Sequence, residues 1–331
     1  MNPWFKELKK AYEIQNFKCV SINEEKIKEF AHKLAKQKME LPNWRNELWP
    51  EDDKFIQFIG ISTSINACYS APVSSQKFTK HWAKYNKDYS GSNGLNACFM
   101  RLLGHNDLIM DPEFLSTISM DTMKFIFSGT SELPLLQRRL NILRSVGKIL
   151  LEKYDGHFRN LFEQADYKCF DNGNGICERL VRDFPWAYND MRPINCQLFP
   201  FHKKALLVAL CYHGRAQDSE ILKPLKDAHR LSPIVDYQIP KLFSELGILE
   251  YTEALKNWIT SRLELPAYSG GETAIRLFTA IAWEKIMKEV NNIKRAQKKK
   301  MLTMAELDYL FWLTGHELTT VEHHRTLTTD Y

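Results

Sequence analysis

The 331-residue chain lacks the short signatures of several large enzyme classes. It has no GxSxG elbow, no Gly-rich P-loop and no GxGxxG following a strand. An α/β-hydrolase serine, a Walker-type phosphate cradle and a dinucleotide site are therefore not indicated. The seven cysteines, Cys19, Cys68, Cys98, Cys169, Cys177, Cys196 and Cys211, are odd in number and form no CxxC pair. That excludes a zinc ribbon and a thioredoxin-like motif, and nothing selects one thiol for a Cys–His nucleophile. No apolar run approaches the roughly 18 residues of a membrane helix, and "MNPWFKELKK" carries no signal-peptide pattern. The expectation is a soluble, cytoplasmic protein with reduced thiols and no membrane association. Neither sign of charge dominates, with 45 Lys and Arg against 40 Asp and Glu. A net charge of +5 suits an anionic ligand but falls short of the dense basic face that nucleic acid demands.

A metal reading fails on spacing. In "HELTTVEHH", His316 to His324, Thr319 and Thr320 stand where the second His of HExxH would be needed one turn on. Polar residues near the chain end are the plainer reading, with substrate contact left open, and neither metal nor cofactor is expected. "GNG" at 173–175 reads as a loop before a helix. The basic run "NNIKRAQKKK" at 291–300 reads as a helix end entering a solvated loop.

What the chain does have is helical periodicity. Hydrophobic residues make up 44%, charged residues 26% and aromatic residues 12%, enough for a sizeable globular core. "SINEEKIKEFAHKLAKQ" opens with a capping-box-like Ser21-x-x-Glu24 and continues with an apolar stripe of Ile27, Phe30, Ala31 and Leu34. "ELPLLQRRLNILRSVGKILLEKY" and "GGETAIRLFTAIAWEKIMKEV" repeat the pattern. Strand candidates are few, and "FIQFIGIST" has the most β-like composition, with helix an open alternative at that length. The expected fold is mostly α, a single compact multi-helix domain over 1–331, with two lobes of about 1–130 and 131–331.

One acid stands out. "LSPIVDYQIPKLFSELGILEY", residues 231–251, sets Asp236 at the start of an apolar helix whose face is Tyr237, Ile239, Leu242, Phe243, Leu246 and Leu249. On residue pattern alone it is a helix cap: Asp is a favoured N-cap, Tyr237 can open the helix and Pro240 is tolerated in the first turn. In "FPFHKKALLVAL", Lys203 and Lys204 read as solvated helix residues with Phe201, Ala205 and Val208 facing the core. "FPWAYND", residues 184–190, reads as a turn packed by aromatics.

These segments, in order along nearly the whole chain, resemble the queuosine salvage family, the queuosine 5'-phosphate N-glycosylase/hydrolases. "WRNELWP" resembles W…HELNP, with Asn46 where the family has His, and "INACYS" resembles LNFSFW, keeping Asn66 and Tyr69. "GSNGLNACFMRL" resembles GYWxLxAAxNRA, "LPLLQRRLNILRSVGKILLEKYDGHF" resembles PLxxERxxILxExGKILLEKFxGSF, and "FPWAYND" resembles FPSYRD. "FHKKA" resembles FYKRA, which sets His202 and Lys203 on that motif. "VDYQIPKLFSELGILEY" matches ADYRxPQxLxxLGxLxY, the most specific motif of the set, and "GGETAIR" resembles EVEIR through Glu272 and Arg276. "LDYLFW" resembles LDYxLWD through Asp308 and Trp312, with Glu317 an acid further on. "VEHHRTLTTDY" resembles IPxHRxRxIYY through His324, Arg325 and Tyr331.

The resemblance implies an α-helical fold similar to helix-hairpin-helix DNA glycosylases. It implies cleavage of the N-glycosidic bond of queuosine 5'-phosphate, releasing queuine base for tRNA modification and ribose 5-phosphate. The expected partner is a small nucleotide substrate, with no cofactor and no stable nucleic acid, and the chain is expected to be a monomer. Asp236 falls on the acid that acts as nucleophile or transition-state stabiliser, and Lys203 on the second catalytic position. Asn46, Asn66, Tyr69, His202, Ile234, Tyr237, Asp308, Trp312, Glu317, His324 and Arg325 are the implied substrate contacts. Lys203, His202 and His324 are alternatives for protonating the leaving base or binding the 5'-phosphate. Departures gather at these contacts: Asn46 replaces His, Ile234 replaces Phe, Ala274 replaces Glu, Leu313 replaces Asp and Leu327 replaces Arg. Losing an aromatic ring and an acid weakens stacking on a deazaguanine and attraction for a cationic amine tail. A related modified nucleotide is therefore a second possible substrate. A DNA or RNA base glycosylase of similar fold and a non-catalytic nucleotide-binding protein are the competing classes.

Overall fold

The structure, a computed structural model, describes residues 2–74 and 76–331. Among these, fifteen α-helices run in the order α1 Pro3–Ile14, α2 Glu24–Leu34, α3 Asp52–Ser64, α4 Ser92–Leu103, α5 Pro112–Thr117, α6 Met120–Ile126, α7 Leu136–Tyr154 and α8 Phe158–Gln164, then α9 Ile176–Asp183, α10 Pro185–Tyr188, α11 Lys203–Ala216, α12 Gln238–Glu245, α13 Glu253–Thr260, α14 Gly270–Ala296 and α15 Met304–Glu317. Six short strands form three antiparallel pairs. β1 Val20–Ile22 pairs with β6 Leu249–Tyr251, β2 Thr79–Trp82 with β3 Lys87–Ser90, and β4 Met191–Ile194 with β5 Gln197–Pro200. The fold is mostly α, as expected. No helix among the described residues is long and apolar enough to cross a membrane.

Two compact units interleave along the chain. The first comprises Met1–Pro42, Asp190–Phe201 and His229–Thr326. Its axis is α14, 27 residues long and buried along most of its length up to Val290. Ser269 caps it by accepting the Glu272 N–H at 3.3 Å. Small residues, Ala274, Ala280 and Ala282, keep its interior face narrow, so α1, α2 and α12 pack closely around it. Phe243 of α12, Trp283 of α14 and Phe311 of α15 meet edge to face, with ring centroids 5.2 and 5.7 Å from Phe311. Edge-to-face rings of this kind add directional attraction to the area they bury.

The second unit comprises Asn43–Asn189, His202–Ala228 and Leu327–Tyr331. "FIQFIGIST" is not a strand here but the body of α3, with Phe55, Ile56 and everything from Phe58 to Ser64 buried. A helix enclosed on all sides needs apolar residues all round, which erases the periodicity that separates helix from strand. Asp52 and Asp53 in its first turn suit the helix dipole. α11 packs on α3, and α5 lies against α7 so closely that a Cβ on Gly147 would come within 2.5 Å of the Pro112 carbonyl oxygen.

Two local expectations shift. Ser21 lies in β1 opposite Glu250 rather than capping α2, and Asn23 caps instead, accepting N–H bonds from Glu25 and Lys26 at 3.1 Å. Leu249 leaves the α12 face for β6, because Gly247, at φ +69°, ends the helix in the left-handed conformation. The loop reading of 173–175 is as expected, and so is the helix end within the basic run 291–300, where α14 stops at Ala296.

Candidate active site

In the first unit the chain from Leu231 to Asp236 is buried without regular secondary structure, and α12 begins at Gln238. Asp236 is 6% exposed. Its Oδ1 accepts the backbone N–H of Gln238 at 2.7 Å and of Ile239 at 3.3 Å, so it caps the helix from one position earlier than expected. Two donors at a helix N-terminus hold the carboxylate rigidly. Tyr237 stacks on His323, ring centroids 4.3 Å apart, and Ile234 is buried just before the turn.

The turn is braced from behind. Arg276 of α14 donates to both oxygens of Asp190, at 2.9 and 2.6 Å, and to the Val235 carbonyl at 3.4 Å. Arg192 of β4 grips Glu272 through Nε at 2.9 Å to each oxygen and reaches Asp190 at 2.9 Å. All four side chains are buried, with the Arg276 guanidinium over the Phe201 ring at 4.4 Å and that of Arg192 over Tyr268 at 4.5 Å. Two carboxylates thus meet two guanidiniums beside the residue that precedes Asp236. Sequence reading found Glu272 and Arg276 but missed the role of Asp190 and Arg192. The signal was faint: an acid ending "FPWAYND" and an arginine two residues later.

α15 and the segment after it approach the same turn. Asp308 is buried on α15, which packs against α12; Trp312, one turn on, stacks with His316 at 5.0 Å. Glu317 ends α15 with its side chain exposed. Lys241 of α12, absent from the sequence-based candidates, is buried and donates to the Leu318 carbonyl at 3.0 Å. Burial lowers its pKa, while Asp236 and Glu322 pull the other way. Glu322 accepts from Arg262 at 2.8 Å and from Arg325 at 3.0 Å. Its burial favours the neutral acid, yet the two arginines outweigh that and lower its pKa. Arg325 is thus committed to an ion pair. His324 is buried, and desolvation, helped by His323 and Arg276, takes its pKa down to about 3. It is a neutral imidazole at neutral pH, able to hydrogen-bond but not to act as a cation.

The second unit holds the remaining candidates. Asn66 and Tyr69 follow α3, and the Tyr69 hydroxyl donates to Asn66 Oδ1 at 2.9 Å. Burial pushes the Tyr69 phenol pKa up, so it stays protonated. Arg139 of α7, wholly buried, organises that loop by donating to the Ile65 carbonyl and to those of Ala67 at 2.5 Å and Cys68 at 2.8 Å. The Tyr331 carbonyl accepts the Cys68 N–H at 3.4 Å. His202 precedes α11 in the left-handed conformation, φ +45°, a geometry that costs a non-glycine residue about 1–3 kcal/mol. Lys203 and Lys204 are buried, not solvated as the helix pattern implied. Lys204 spends its charge on the Ser64 carbonyl at 2.6 Å, at the negative end of α3, a destination set by tertiary packing. Asn46 is exposed, and its Oδ1 shapes the turn before α3 by accepting the Leu48 N–H at 2.9 Å. The structure therefore brings together Ile234, Asp236, Tyr237, Asp308 and the 322–325 segment in one unit. In the other it pairs Asn66 with Tyr69 and sets His202 and Lys203 at the head of α11.

In this mostly helical chain a buried carboxylate caps a helix and is backed by an ion network, and comparison with known proteins gives the family. The family model described as queuosine salvage protein matches residues 47–331. The chain belongs to that family. Among curated proteins, the queuosine 5'-phosphate N-glycosylase/hydrolase of Sphaerobacter thermophilus is 26% identical over 322 residues, covering 96% of this chain and 95% of its own. Proteins of the same name from Schizosaccharomyces pombe and Dictyostelium discoideum are 24% and 27% identical. The first covers 86% of this chain and 82% of its own, the second 68% and 67%.

Proposed function

We propose that this protein hydrolyses the N-glycosidic bond of queuosine 5'-phosphate, releasing queuine base and ribose 5-phosphate, and that Asp236 carries the reaction. The observation that supports this most is Asp236 itself: a buried carboxylate held by two backbone N–H groups. As the bond from the anomeric carbon to the base nitrogen breaks, positive charge grows on the sugar. A fixed carboxylate beneath that carbon stabilises the charge, and burial strengthens the interaction by excluding water. Whether the carboxylate attacks the carbon or only faces it, the balance is the same. Water supplies hydroxide to the anomeric carbon, and its other proton leaves with the base.

Lys203 is proposed as the second catalytic group, protonating the base or holding the 5'-phosphate, with His202 beside it. His324 serves as a neutral hydrogen-bonding partner, because its depressed pKa removes it as a phosphate-binding cation. Asn66, Tyr69, Tyr237, Asp308 and Trp312 are the other proposed substrate contacts. Ile234, a smaller and non-aromatic wall, loosens the grip on the base, as Asn46 does at the exposed turn. Arg325, tied to Glu322, and Glu317, exposed at the end of α15, contribute indirectly. The fold is proposed to be similar to helix-hairpin-helix DNA glycosylases, the chain acting as a single cytoplasmic, monomeric glycosylase without a nucleic-acid partner. Incubating the purified protein with queuosine 5'-phosphate and following free queuine by mass spectrometry tests the reading. Queuine release supports it; tight nucleotide binding without release makes the protein a binder instead.

A further inference from the structure

The turn that carries Asp236 holds another polar side chain, one that the mechanism above leaves idle. Gln238, the first residue of α12, is 3% exposed, and its amide oxygen is buried with no hydrogen-bond donor among the described residues. Buried polar atoms are nearly always paired, because an orphan forfeits its water without recompense. Nor can the backbone swing this one towards a partner. The Gln238 N–H is held by Asp236 Oδ1 at 2.7 Å. On its other side Gly315 of α15 packs so closely that a Cβ there would lie 2.7 Å from the Gln238 carbonyl oxygen. The Gln238 backbone is thus pinned beside the carboxylate, and its side-chain oxygen is left as an unused acceptor.

We infer that Gln238 is a specificity-determining residue whose amide oxygen accepts a hydrogen bond from the ribose 2'-hydroxyl of the bound nucleotide. This rests on the placement of Asp236 at the anomeric carbon proposed above. A side chain whose own backbone nitrogen touches that carboxylate reaches the substituents next to the anomeric carbon. The 2'-hydroxyl, on the adjacent carbon, is the nearest sugar donor. As positive charge builds on the sugar, that hydroxyl becomes more acidic, so a hydrogen bond from it strengthens in the transition state. The buried acceptor is then unsatisfied only in the free protein, and a 2'-deoxyribonucleotide leaves it orphaned in the complex, which is how a polar site rejects an analogue lacking the donor.

The test compares wild type, Gln238→Met and Gln238→Glu with queuosine 5'-phosphate and its 2'-deoxy analogue, measuring kcat/KM and the melting temperature without ligand. Methionine keeps the length and removes the acceptor; glutamate keeps an acceptor of the same reach. The expected result is that Gln238→Met lowers the ribo-to-deoxyribo ratio of kcat/KM by about ten- to a hundredfold while melting no lower than wild type. Gln238→Glu keeps the ribonucleotide preference. A Met variant with the wild-type ratio overturns the inference alone, and so does one that melts lower and loses both activities equally. Wild type that releases no queuine overturns the functional reading and this inference with it.

Discussion

At the residue scale, Asp236 does two jobs that substitution can separate. Asparagine keeps an oxygen for the Gln238 and Ile239 N–H groups but removes the charge, whereas alanine removes both. Asp236→Ala is expected to cost about 1 kcal/mol of stability as a lost cap and Asp236→Asn less, both read from urea midpoints. His324 makes a second prediction. Its pKa of about 3 in the folded protein lies below the ordinary histidine value of 6.5. The unfolded chain therefore takes up a proton first as pH falls. Stability is full above pH 6.5 and declines towards pH 3, by up to about 1.4 kcal/mol for each pH unit in that window. His324→Gln should flatten the decline in melting temperature between pH 7 and 4; an unchanged slope would show that other groups cause it. Asp236 was legible in the sequence because a cap is a local matter. The burial of Lys203 and Lys204 was not, since the Ser64 carbonyl that receives Lys204 lies far along the chain.

At the scale of elements, two glycines allow close helix contacts with different consequences. Gly147 lets α7 meet α5, where a Cβ would come within 2.5 Å of Pro112 O and 2.6 Å of Ser116 N. Gly315 lets α15 meet the start of α12. Each to alanine should destabilise by about 1–3 kcal/mol, as overpacking does. Only Gly315→Ala should also lower kcat for queuine release, about tenfold or more, because the peptide it displaces is the one that holds Asp236. Equal activity per folded molecule in the two variants would contradict that link. Helix existence was plain from periodicity in α2, α7 and α14. It failed in α3, where burial on every side leaves no polar face to count, and at Ser21, where pairing of β1 with β6 took the residue from a cap.

At the scale of the whole molecule, what stays hidden in sequence is which distant segments share a charge. Asp190, Arg192, Glu272 and Arg276 come from stretches about 80 residues apart and neutralise one another in the interior of the first unit. Removing one partner strands a buried charge, so Asp190→Asn is expected to cost about 3–5 kcal/mol, measured by urea denaturation. A loss below about 1 kcal/mol would mean that the arginines are satisfied without it. The network braces Val235, and through it the acid on which the functional reading depends. The most direct test of that reading is the single-turnover rate of queuine release from queuosine 5'-phosphate by wild type and Asp236→Asn at neutral pH. Release by wild type, and a rate in the variant lower by at least about a hundred- to a thousandfold with the fold intact, is the predicted result. A variant that releases queuine at the wild-type rate would contradict it.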